Sequence, residues 1–190
     1  MALSCGQIAK NIVASACGAG AVGLDNYIYL INYDDIDRAN CVENNGVITD
    51  IVLKSGANGY KYESNHKGFE GTSALNRGTY AVAHDHSVVG RIFLNSQTIK
   101  DELNKLALGK FVAVVRNLNN VDEVKYEVYG WNNGLVCTAM DKNTTDGDGV
   151  FYSFTLASNE GERESDLPKS FYKTDLSTTE SALEALLPSA

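Results

Sequence analysis
Two histidines and one acidic turn come closest, by residue type and spacing, to a chemical site in this chain. His84 and His86 stand two apart in TYAVAHDHSVVGRIFLN, so on a strand both rings project to one face, as two ligands of a zinc ion do. A third ligand is required, and the sequence alone does not supply it. The run Asp141-Lys142-Asn143-Thr144-Thr145-Asp146-Gly147-Asp148-Gly149 repeats side-chain oxygens at alternate positions, as a calcium loop does. It departs from the EF-hand pattern at the sixth position, Asp146 in place of glycine, and at the twelfth, Tyr152 in place of glutamate. An acidic turn between strands is the simpler reading. Cys5, Cys17, Cys41 and Cys137 form no C-x-x-C pair and read as buried thiols. The internal strand-to-helix junction, RIFLNSQTIK, lacks the glycines of a nucleophile elbow, a phosphate loop or a dinucleotide fingerprint. Glu127 would need a second carboxylate to resemble a hydrolase pair, and nothing singles one out. The expectation is no catalytic residue, no cofactor and no metal, with function residing in contacts.

The elements that would position such contacts are strands. Ten tyrosines, many in Val- and Ile-rich runs, favour a pleated surface. DNYIYLINYDDI alternates Tyr27, Tyr29 and Ile31 against Ile28 and Leu30, which predicts a strand buried on both faces. Asn45-Gly46 is a tight-turn signal and predicts a first hairpin spanning 26–54. KFVAVVRNL is continuously apolar and reads as a central strand. KYEVYGW and LVCTAM, separated by Asn132-Asn133-Gly134, read as a second hairpin, and VFYSFTLAS as a further strand. Gly90 reads as a bulge or kink. The period changes once, in SQTIKDELNKLALGK, where Ile99, Leu103 and Leu106 mark a helix over about 96–108, with Thr98 and Asp101 as a capping box and Gly109 as its stop. TTESALEALL predicts a short C-terminal helix. The fold class is thus mainly β, with one helix flanking a sheet.

Between GVITDIVLK and the histidine strand lies SGANGYKYESNHKGFEGTSALNRG. It is too polar for a core of its own, and residues 55–78 read as an extended arm that needs a partner outside its domain. Tyr60, Tyr62, His66, Phe69, Leu75 and Arg77 are its candidate contact residues, aromatics being the strongest anchors at interfaces. The chain then divides into an N-terminal arm (1–24), a single sandwich domain (25–162) and a polar tail (163–190). Excision of 57–77 is expected to leave a folded domain.

The formal net charge is −8. It is spread as −4 over residues 1–50, +2 over 51–140 and −6 over 141–190. No segment offers the basic stripe that grips phosphates, while an acidic wall that repels DNA without holding it fits this balance. The apolar run IVASACGAGAVGL has no basic lead and is diluted by glycine, so it falls short of a signal peptide. Nothing approaches a membrane span, and the expectation is a protein that stays in the cytosol where it is made.

The helix ending in LALGK, the strand FVAVVRN, the segment YGWNNGL at 129–135 and the strand GVFYSFTLASNEGE at 149–162 together resemble phage tail tube (major tail) proteins, closest to those of phages and prophages of Bacteroidetes-type bacteria. The resemblance covers roughly residues 5 to 172. It implies a β-sandwich or barrel that forms hexameric rings, rings that stack through a long loop and terminal arms, and a lumen through which DNA slides. It also implies a virion location, with other tail proteins as partners at the tube ends. Two further readings stay open: another virion component, such as a capsid decoration or tail terminator protein, and a glycan-binding sandwich using exposed tyrosines and Trp131.

Overall fold
In the computed structural model, which describes residues 11, 23–79, 81–93, 96–118, 122–144 and 149–189, eleven strands hydrogen-bond into one sheet. In chain order they are β1 (Leu24–Asn32), β2 (Val42–Asn44), β3 (Val47–Asp50), β4 (Gly59–Glu63), β5 (Phe69–Arg77), β6 (Val82–Ile92), β7 (Lys110–Asn117), β8 (Tyr126–Tyr129), β9 (Leu135–Asn143), β10 (Phe151–Ala157) and β11 (Lys169–Phe171). Two helices, α1 (Gln97–Leu106) and α2 (Leu176–Glu184), complete it. The mainly β expectation holds. Among the described residues no helix is long and apolar enough to cross a membrane.

The hub is β7, whose composition follows from its place. One edge pairs antiparallel with β1; the other pairs with β8 at 113–116 and with β9 at 110–111. Both faces are covered. Phe111, Ala113 and Val115 join Ile28, Leu30, Tyr62, Phe69, Val88, Phe154 and Leu156 in one core cluster, while Val112 and Val114 join Tyr29, Ile31, Ile48, Tyr126, Val128, Phe171 and Leu183 in another. The alternation read in β1 is therefore real burial on two sides. The sheet curls so that β5, β6 and β10 lie across the first cluster from β1, β4 and β7, and α1 closes that cluster with Ile99, Leu103 and Leu106. Each such aliphatic or aromatic side chain contributes about 1.5–3 kcal/mol by leaving water.

Helix α1 falls within the predicted span, but its cap differs. Ser96, not Thr98, is the N-cap, accepting from the Ile99 N–H at 3.3 Å. Asn45 and Gly46 do form a tight turn, with φ of 51° and 80°, the pair of positive angles that a twisted two-residue hairpin needs. The hairpin it closes is β2–β3, not one from 26 to 54, because β1 is already paired on both edges, with β4 and β7. Likewise β8 and β9 do not pair with each other; the 130–134 turn carries the chain along β7 from one docking position to the next.

Three larger expectations change. Residues 55–78 are not an arm outside the domain: they build β4, paired with β1, and β5, paired with β6, and excision of 57–77 would remove Tyr62 and Phe69 from the core. Residues 163–190 are not a tail. Strand β11 lies between β3, parallel, and β8, antiparallel, and α2 covers the second cluster with Leu183. Finally Gly90 marks no bulge, since β6 keeps its register with β5 and β10 through that residue. Of the N-terminal arm only Asn11, Gly23 and Leu24 belong to the described residues.

Polar side chains fasten α2 to the sheet. Tyr29 donates to Glu184 at 2.6 Å, and Arg116 ties Asp25 at 2.5 Å to Glu180 at 3.2 Å. Burial, first of all, pushes the Tyr29 and Tyr126 phenols well above their ordinary pKa, so both stay neutral as hydrogen-bonding groups.

Candidate interaction surface
The six candidate contact residues separate by depth. Tyr62 is fully buried and Phe69 is 5% exposed, both in the first core cluster, and Tyr60 packs partly buried against it. Tyr62 and Phe69 are aromatics of the protein's own core, while Tyr60 keeps part of its surface exposed. His66, Leu75 and Arg77 remain exposed, His66 with its ring edge-on to Phe93 at 4.8 Å.

Leu75 and Arg77 lie on the outer half of the β5–β6 hairpin. The register sets Phe69 opposite Gly90, Gly71 opposite Val88, Ser73 opposite His86, Leu75 opposite His84 and Arg77 opposite Val82. Directly opposed residues share a face, so the face that carries Phe69 and Val88 into the core continues outward to Leu75 and Val82. There the body ends: Leu75 is 58% and Val82 50% exposed. On that same face the Ser73 Oγ and His84 Nδ1 atoms are shielded from solvent, yet neither has a hydrogen-bond partner among the described residues. The opposite face is more polar and is clamped by Asp85, which accepts from Asn76 at 2.8 Å and from Arg163 at 2.6 Å.

Strand β5 also ends the strand order of the sheet. Its nine residues pair with β6 without a register shift, and FEGTSALNR contains neither proline nor lysine, two of the devices that blunt an edge. A groove of about 550 Å³ separates its first half from Gly23, Leu24 and Asn117. A regular edge of this length, with an apolar face continuing past the body, has the shape of a surface that pairs with another chain.

The hairpin's base is organised by His86 and Glu164. Both His86 nitrogens are engaged by the backbone: Nδ1 accepts from the Gly130 N–H at 3.2 Å, which leaves the proton on Nε2 to be donated to the Asp166 carbonyl at 2.9 Å. A ring so used is a structural strut, not a ligand. Glu164, 1% exposed, accepts from the Asn132 N–H at 3.0 Å and the Asn133 N–H at 2.7 Å, and its backbone bridges His84. Sequence reasoning missed Glu164 because it stands in a polar run that reads as tail. Of the acidic turn, residues 145–148 lie outside the described residues, and Asp141, Lys142 and Asn143 belong to β9. Among the described residues no group of three His, Cys, Asp or Glu side chains is placed to hold a metal ion.

Burial holds the His86 pKa below its ordinary value, partly opposed by the charge of Glu164 and by the Asp166 carbonyl, with His84 adding to the lowering. In the unfolded chain the ring titrates near about 6.5. Between the two values the unfolded state binds more protons, so this contribution is complete above the unfolded value and is lost as pH falls below it. Thermal melts should therefore show a decline in midpoint from about pH 6.5 downward, and His86→Gln should flatten that part of the profile. A wild-type midpoint independent of pH between 7 and 5 would contradict the assignment.

Trp131 is 5% exposed and donates from Nε1 to Glu43 at 3.1 Å, with the Arg38 guanidinium 4.2 Å over its ring. That face is occupied by Arg38, so Trp131 is not the exposed ring that the glycan-binding reading placed beside exposed tyrosines. Comparison with protein-family models, with curated proteins and with solved structures gave no match.

Proposed function
We propose that this chain is a structural subunit that assembles with copies of itself, and that the assembly is a phage tail tube of stacked hexameric rings through which DNA passes. The observation that supports self-assembly is the β5–β6 hairpin, whose core-side face runs out past the body to Leu75 and Val82 beside a nine-residue edge that pairs with no strand among the described residues. Pairing that edge and covering that face in a neighbouring copy would stabilise both. The tail tube assignment rests on the resemblance of YGWNNGL and GVFYSFTLASNEGE, and the net charge of −8 accords with a lumen that repels DNA. In this reading the protein is not an enzyme and works without a cofactor. Its other partners are tail proteins at the tube ends, and its place is the virion tail, assembled in the host cytoplasm.

The reading is tested on a variant that spares the core. Leu75→Asp combined with Val82→Asp replaces two exposed side chains, so the melting midpoint should move by no more than about 2 °C. Assembly, followed by light scattering and negative-stain microscopy, should be abolished. Unchanged assembly by this variant would show that the hairpin is not the contact.

A further inference from the structure
A second surface carries an unused cation in a built setting. Arg38 stands over two rings at once, its Cζ 4.2 Å from the Trp131 centroid and 4.9 Å from that of Tyr33. These residues, with Cys41, Glu43 and Asn132, line an open cleft of about 290 Å³. The rings are themselves fixed: the Tyr33 hydroxyl donates to the Asn132 carbonyl, and Trp131 to Glu43. Arg91, Arg116 and Arg163 each reach a carboxylate. Arg38 makes no hydrogen bond or ion pair among the described residues. The nearby carboxylates are committed elsewhere, Glu43 to Lys169 and Trp131, Glu164 to the Asn132 and Asn133 N–H groups.

A guanidinium packed over aromatic rings still presents its N–H donors as a planar fork that matches the two oxygens of a carboxylate. Burial against the rings draws its pKa down from the ordinary value, as for a cation that has given up water without gaining an acceptor. We propose that Arg38, held over Tyr33 and Trp131, anchors an acidic side chain of a second copy of this chain. The proposal rests on the self-assembly reading for the identity of the partner. Charge complementarity argues for it: the chain has 24 acidic against 16 basic residues, so a neighbouring copy presents mostly carboxylates. The flanking Glu43 and Glu164 favour a singly charged group over a phosphate dianion.

Trp131 is the sole tryptophan, so its emission reports on this cleft alone. Dissociated wild-type protein is titrated with hexaglutamate, hexaglutamine and inorganic phosphate at matched ionic strength. Hexaglutamate alone should shift the emission and saturate; Arg38→Lys should weaken that response at least about tenfold, because the fork and the stacking are lost, and Arg38→Ala should abolish it. Arg38→Gln, which keeps a planar group over the ring without the charge, covers the case in which alanine disturbs the fold, and it too should not respond. No wild-type response, a response that survives in Arg38→Gln, or tighter binding of phosphate than of hexaglutamate would each overturn the carboxylate anchor. In the assembly arm, wild-type protein that forms particles while Arg38→Gln forms them equally well overturns the role between copies and leaves the hairpin reading standing. Wild-type protein that responds to hexaglutamate but never assembles overturns the choice of a second copy together with the self-assembly reading.

Discussion

Glu164→Ala is expected to lower the free energy of unfolding by about 3 kcal/mol, because it strips the acceptors from two backbone N–H groups at once, each worth roughly 1–3 kcal/mol when left unpaired. Those groups belong to Asn132 and Asn133, and the carboxylate that receives them is 1% exposed. For a domain of this size the melting midpoint should fall by roughly 6–12 °C. Glu164→Gln keeps one carbonyl oxygen and should show about half the loss. The effect should spread outward as well as inward, since the Glu164 backbone carbonyl accepts from the His84 N–H at 2.8 Å and its N–H donates to the His84 carbonyl at 3.1 Å. Amide exchange in the outer half of the β5–β6 hairpin should therefore quicken in the alanine variant. A midpoint unchanged within about 2 °C would mean that water takes over both donors.

Gly90→Ala should be at least as damaging, by a different cause. A Cβ at Gly90 would stand 2.3, 2.6 and 2.9 Å from three carbons of the Phe154 ring. Phe154 is 1% exposed and lies opposite Gly90 in the β6–β10 register. Its ring meets Tyr62 edge-on at 6.3 Å, so any withdrawal must displace other core side chains. Overpacking of this kind costs typically 1–3 kcal/mol, and a rigid ring in a closed core places the expected loss near the upper value. Phe154→Leu destabilises alone, yet in combination with Gly90→Ala it removes the clash, so the double variant should be more stable than additivity allows by about 1–2 kcal/mol. Additive losses in that cycle would place the strain elsewhere.

The parts of the fold that sequence made legible are those set by local period and strong burial. Tyr27 to Ile31 and Phe111 to Val115 alternate or run apolar because both faces of β1 and β7 are covered, and Ile99, Leu103 and Leu106 repeat at helical spacing because α1 closes the first cluster. Pairing was not legible in the same way. Asn45-Gly46 correctly marks a turn, but a turn says nothing of which strands it joins when β1 is claimed on both edges by β4 and β7. The supposed arm was misread because each of its two strands contributes little apolar surface to the core, chiefly Tyr62 from β4 and Phe69 from β5, and the rest of the segment is polar. Glu164 and Phe171 were lost in a polar run for the same reason: one buried residue in an exposed stretch leaves no period to detect. At Gly90 the signal was present but ambiguous, since an isolated strand glycine announces either a bulge or a close approach, and here it is the approach of Phe154.

For the candidate surface, sequence could not sort the residues of 55–78 by depth. Leu75 and Arg77 are on the outer hairpin, whereas Tyr62 and Phe69, the stronger anchors by type, hold the protein's own core. Arg38 escaped notice because its meaning depends on Tyr33 and Trp131, which stand nearly a hundred residues apart in the chain and meet only through the fold.

Self-assembly through the β5–β6 hairpin is the central claim, and negative-stain microscopy of the purified protein across a concentration series tests it most directly. The wild-type protein should form rings or tubes of uniform diameter that grow in number with concentration and are missing from the Leu75→Asp, Val82→Asp double variant. Monodisperse monomer at every concentration of the wild-type protein would contradict it.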